Sequence, residues 1–80
     1  MLKKEEKEKK DLQIKFGQHL KKLRIKAGIT GAELARRCYV ERHHILRLER
    51  GETNPTLYTL KKVSDALKIS LEKILRGFRY

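Results

Sequence analysis

The side chains able to do chemistry concentrate in one stretch, Arg42-His43-His44-Ile45-Leu46-Arg47-Leu48-Glu49-Arg50-Gly51. In helical register Ile45 and Leu48 lie three apart and form a narrow apolar stripe. Arg42, His43, Leu46, Arg47 and Arg50 fall around the other side. A helix this short does not hold alone, so its stripe must dock on the body of the protein. Docking then presents an arginine-rich face. Guanidinium forks and imidazoles match the hydrogen-bonding edges of bases, and such a face suits a major groove.

The same residue types offer no catalytic or metal set. The single cysteine, Cys38, excludes an intramolecular disulfide framework and a thiolate zinc site. His43 and His44 are adjacent, and adjacent helical residues do not face one another. Ser64 and Asp65 have no His or Lys placed to complete a nucleophilic set, and no Gly-rich phosphate loop is present. The expectation is no enzyme activity, no metal and no cofactor.

Charge points to the partner. The 80 residues carry 21 Lys and Arg against 10 Asp and Glu, a formal net charge of +11. That excess calls for a polyanion. It is uneven: residues 16–40 hold six basic groups against one acid, and residues 61–80 hold six against two, whereas residues 41–60 balance three against three. Basic flanks around a neutral middle fit phosphate contacts around a few base contacts. The plain alternative is a basic surface that only aids solubility. No apolar run approaches membrane-spanning length, and the start lacks the apolar core of a secretory signal. A cytoplasmic protein with no membrane partner is the expectation.

These residues need elements to position them. Residues 1–11 are nearly all Lys and Glu, an arm that is either a helical extension or disordered. Leu12, Phe16, Leu20, Leu23 and Ala27 mark the first helix, closed by Gly28. Thr30 caps the next helix, with Glu33 completing a capping box and Ile29 stapling to Leu34; Leu34, Ala35 and Cys38 give its buried face. Tyr39-Val40-Glu41 leads to the Arg42–Arg50 helix, which Gly51 ends. After Pro55, Thr56 caps a helix with Leu57, Leu60, Val63, Ala66 and Leu67 on its apolar side. Ser70 caps a last one with Leu71, Ile74 and Leu75, stopped by Gly77. Phe78-Arg79-Tyr80 is a tail without an evident role in the fold. The result is an all-α, compact five-helix bundle over residues 12–77, with a helix-turn-helix unit at residues 31–50.

The pieces Leu23-Arg24, Gly28-Ile29-Thr30, Glu33-Leu34-Ala35, Arg47-Leu48-Glu49-Arg50-Gly51, Asn54-Pro55-Thr56-Leu57 and Ile69-Ser70-Leu71 stand in register from Phe16 to Leu75. In this the chain resembles the lambda-repressor-like, Cro/C1-type helix-turn-helix family (XRE family). The resemblance implies that the third helix lies in the major groove with Arg42, His43 and Arg47 facing bases, and His44, Leu46 and Arg50 beside them. It also implies a partly buried salt bridge between Arg24 and Glu49. It further implies a homodimer on a palindromic operator of double-stranded DNA, acting as a transcriptional regulator or repressor. The chain departs from the family at Gly31, where a phosphate-clamping Gln is usual, and at Tyr39 and Lys68, where Gly is common. His43, His44 and Leu46 replace small hydroxyl residues.

Each candidate keeps a plainer reading beside it. Arg42 takes a guanine edge or a phosphate. Arg47 reads a base or forms a surface ion pair. Leu46 meets a thymine methyl or is a lone surface apolar group. His44 neighbours a phosphate or packs. Arg50, Lys21, Lys22, Arg36 and Arg37 are phosphate candidates, as are the backbone N–H groups at Gly31. Cys38 reads as a core residue. A small-molecule effector is not expected. The competing function is a protein-interaction module that kept the fold, with Leu57, Tyr58 and residues 71–80 as its surface.

Overall fold

A Ser or Thr hydroxyl starts three of the helices. Thr30 Oγ1 accepts from the Glu33 N–H at 3.0 Å, Thr56 Oγ1 from the Thr59 N–H at 3.1 Å and Ser70 Oγ from the Lys73 N–H at 3.0 Å. Each satisfies a donor that a helix start otherwise leaves open. In the computed structural model, which describes residues 2–79, the elements are α1 (Leu2–Lys26), α2 (Gly31–Cys38), α3 (Arg42–Glu49), α4 (Leu57–Leu67) and α5 (Leu71–Leu75). No strand occurs among the described residues. Met1 of the arm and Tyr80 of the tail lie outside them.

α1 runs unbroken from Leu2, so the Lys/Glu-rich arm is a helical extension over its described residues. The apolar stripe of α1 is narrower than its spacing suggests. Phe16 and Leu20 are buried and Leu23 is half-buried, whereas Leu12 is exposed and Ala27, also exposed, lies in the turn just past the helix end. The core joins Phe16 and Leu20 to Leu34, Ala35 and Cys38 of α2, Ile45 and Leu48 of α3, Val63, Ala66 and Leu67 of α4 and Ile74 of α5. Leu57 and Leu75, expected inside, are 71% and 48% exposed. Leu57 is the first residue of α4 and Leu75 the last of α5, so both lie at helix ends where the packed face has run out.

Two further expectations are corrected. Phe78 does have a role in the fold: its ring meets Phe16 edge-on at 5.2 Å and lies 5.5 Å from the His19 ring. His19 Nε2–H donates to the Ile74 carbonyl at 2.7 Å, which ties α1 to α5. The capping box is half formed, because the Glu33 carboxylate turns away to accept from Arg36 and Arg37.

Helix exits depend on left-handed residues. Gly28 and Gly51 take φ of 77°, which glycine adopts freely. Tyr39 and Lys68 each take φ of 59°, at a cost of roughly 1 kcal/mol apiece for a side chain there. Both close a recognisable turn. The Val40 N–H donates to Ala35 O at 3.0 Å, and the Ile69 N–H to Ser64 O at 3.0 Å.

Candidate nucleic-acid interface

α3 is held from behind by three devices on or next to α1. The first is ionic. Arg24 Nε donates to Glu49 Oε2 at 2.6 Å and Nη2 to Oε1 at 3.1 Å, while Nη1 donates to Ile29 O at 2.9 Å. Glu49 is buried, and the hydrogen bond to it raises the Arg24 pKa above its ordinary value against the opposing effect of burial. The fork joins α1, the α1–α2 turn and the end of α3. The second device is Gly17. A Cβ there would lie 2.5 Å from the carbonyl oxygens of Leu48 and Glu49, so only glycine lets the two backbones approach this closely. The third is the turn after α3, where Gly51 packs on the Ile14 backbone and Gln13 Nε2 donates to Gly51 O at 3.1 Å.

α2 braces α3 from the other side. Tyr39, 93% exposed, makes the turn between them and takes no part in the core. Leu46 is half-buried rather than exposed. Its Cδ2 lies 3.8 Å from where a Cβ on Gly31 would sit, so it leans over the first residue of α2. The thiol of Cys38 is buried and its pKa is pushed up by that burial, in keeping with a core role.

The outward face carries Arg42, His43, His44, Arg47 and Arg50, all exposed. The His43 and His44 rings lie 4.4 Å apart, and His43 Nδ1 is 3.3 Å from Glu41 Oε2. Arg47 Nε faces Glu52 Oε1 at 3.7 Å, and Arg50 Nη1 faces Glu52 Oε2 at 4.0 Å. The N-cap of α3, Glu41, makes no side-chain cap, unlike the starts of α2, α4 and α5. Lys21 and Lys22 are exposed on α1. Arg36 is exposed and paired with Glu33. Arg37 has a structural job: Nη1 donates to Ala66 O at 3.0 Å and Nε to Glu33 Oε1 at 3.1 Å, linking α2 to α4. The carboxylate that holds both arginines is itself held down to about pKa 2, first by Arg36 and then by Arg37.

Three residues of this region escape helical-wheel reasoning. Glu41 and Glu52 lie just outside α3, and their carboxylates return to its arginines and histidine. The equal count of acids and bases in residues 41–60 was their trace in the sequence. Gly17 had no local signal, since its reason is the backbone of α3.

A helix-turn-helix family model (HTH_3) matches residues 20–74, from the second half of α1 into α5. The chain belongs to this helix-turn-helix family. Among similar proteins, the control protein C.MunI of a Mycoplasma species is 34% identical over 65 residues, covering 80% of this chain and 88% of that protein. The regulator SinR of Bacillus subtilis is 35% identical over 61 residues, 75% of this chain and 55% of SinR. The crystal structure of the restriction-modification controller protein C.AhdI from Aeromonas hydrophila superposes with a TM-score of 0.75 at 34% identity, covering 80% of this chain and 91% of that one. Other relatives are longer: the chain spans 31% of the transcriptional activator BcrR of Enterococcus faecalis, with 30% identity over 64 residues. This helix-turn-helix fold thus occurs in proteins named as regulators and controllers. Among the described residues no helix is long and apolar enough to cross a membrane.

Proposed function

We propose that this chain binds double-stranded DNA in a sequence-specific manner, as a cytoplasmic homodimer that regulates transcription. One observation carries the reading. α3 is fixed on its inner side by the Arg24–Glu49 fork and the Gly17 approach, while Arg42, His43 and Arg47 project from the outer side. Fixed backbone with projecting donors is what base readout requires. In this reading Arg42 and Arg47 take guanine edges, His43 a neighbouring base, and the exposed part of Leu46 a thymine methyl. His44, Arg50, Lys21, Lys22, Arg36 and the backbone at Gly31 meet phosphates and set the register. Arg37 contributes charge through its position rather than a direct contact.

The second copy belongs on the face formed by the start of α1 with α4 and α5. Leu12, Phe16, Leu60, Leu75 and Phe78 line a groove of about 520 Å³ there. Leu57 and Tyr58, the first residues of α4, are each 71% exposed. The groove rim holds Glu5, Glu8 and Lys9, both signs of charge, on a chain that is otherwise strongly basic. That mixture makes the face self-complementary, as a two-fold interface demands. A dimer of this kind reads a palindromic operator whose half-sites lie about one helical turn apart. Occupancy of promoter DNA then excludes or recruits the polymerase, with no cofactor or effector needed for binding.

The experiment that tests the class is a titration of a mixed-sequence duplex at low and at moderate salt. The reading expects binding at low salt with a steep loss as salt rises. No binding at low salt contradicts it and favours the protein-interaction module.

A further inference from the structure

Glu52 stands out once α3 is read as the base-contacting helix. It is an acid at the edge of a surface built to meet a polyanion, and charge alone would disfavour it. Its backbone is not free to move away. The Glu52 N–H donates to the Arg47 carbonyl at 2.9 Å, closing the turn that Gly51 makes possible with φ of 77°. Its carboxylate returns to the same residue, with Oε1 3.7 Å from Arg47 Nε, while Oε2 lies 4.0 Å from Arg50 Nη1. Arg47 and Glu52 are about half exposed, so the pairing contributes little to folding.

The atom that Glu52 faces matters more than the distance. A guanidinium has two usable edges: the Nε side and the fork of the two terminal nitrogens. The Glu52 carboxylate lies on the Nε side of Arg47, an ion pair 3.7 Å away. That leaves the terminal fork for a base edge, and such a fork pairs with O6 and N7 of a guanine. An arginine biased to one side by a neighbouring carboxylate also loses less rotamer freedom when it binds. We infer that Glu52 is a positioning residue for Arg47, orienting its guanidinium so that the fork reads a base rather than wandering to the nearest phosphate. This rests on the DNA-reading role of α3. It adds that an acid outside the helix sets how selective that helix is. It also gives a role to one of the three acids in the neutral middle of a chain carrying +11.

The two effects of Glu52 have opposite signs, which makes the inference testable. Removing a negative charge beside DNA tightens binding to any sequence. Releasing Arg47 lowers the preference for the right one. The measurement compares wild type with Glu52→Ala on two duplexes, one selected from a random pool by the wild-type protein and one of mixed sequence. Thermal unfolding serves as the control for folding. The expected result is unchanged or tighter binding of the mixed duplex, with the ratio of selected to mixed affinity falling by about tenfold, the scale of one bidentate base contact. Repeating the selection with Glu52→Ala should blur one base pair in each half-site and leave the others sharp. An unchanged ratio with an unchanged consensus, or equal shifts on both duplexes, overturns the inference. Failure of the wild type to bind either duplex instead removes the DNA reading itself.

Discussion

The Glu33 carboxylate accepts from Arg36 and Arg37, and this holds its pKa down to about 2 from an ordinary 4.5. A group whose folded pKa is lowered stabilises the fold above its unfolded value. That contribution fades as pH falls from about 4.5 towards 2. Glu33→Gln should therefore flatten the loss of stability across that window, as followed by helical circular dichroism during acid titration. The effect should be small, since the site is exposed to solvent. Arg24 and Glu49 differ because both are largely buried, with side chains 11% and 5% exposed. Glu49→Leu strands a charged guanidinium and should cost about 3 kcal/mol in urea unfolding, and joining it to Arg24→Met should cost less than the sum of Glu49→Leu and Arg24→Met made singly. An additive result would place the fork outside the coupling that pins α3.

At the scale of elements, the helices were readable where their signals are local. A hydroxyl residue with its acceptor geometry three positions before a backbone N–H needs no distant partner, so Thr30, Thr56 and Ser70 mark their helices in the sequence. Periodicity likewise found Ile45 and Leu48 as the inner stripe of α3. What lay hidden depends on residues far along the chain. Gly17 answers to the end of α3, Arg37 to the Ala66 carbonyl, and Phe78 to the Phe16 ring. At the reading surface the projecting residues were legible as types, whereas the return of Glu52 to Arg47 required the turn geometry after Gly51. Gly17→Ala should cost about 1–3 kcal/mol, because its Cβ must push the backbone of α3 away. Tyr39→Gly should do the reverse. Its φ of 59° suits glycine and its ring is solvent-exposed, so relief of strain less the added freedom of the unfolded chain should raise stability by up to about 1 kcal/mol. A fall in the midpoint of thermal unfolding for Tyr39→Gly would show that the ring packs on something.

At the scale of the whole molecule, the proposed dimer must bring together two copies of a chain of +11 without self-repulsion. The groove lined by Leu12, Leu60, Leu75 and Phe78 has apolar surface and a rim of mixed charge, with Leu57 and Tyr58 exposed at the start of α4; this is the face proposed for a second copy. Tyr58→Asp should shift sedimentation equilibrium towards monomer and weaken DNA binding while lowering the unfolding free energy of the protomer by no more than about 0.5 kcal/mol, as expected of an exposed site. A dimer unaffected by that change would move the interface elsewhere. The proposed function turns less on dimerisation than on α3: braced from behind, it would read sequence through Arg42, His43 and Arg47. Selection of bound duplexes from a random pool tests it most directly. A dimer reading through α3 should select a palindromic consensus with half-site centres about 34 Å apart, one turn of duplex. Recovery of duplexes with no shared sequence, from a protein that still binds at low salt, would contradict it.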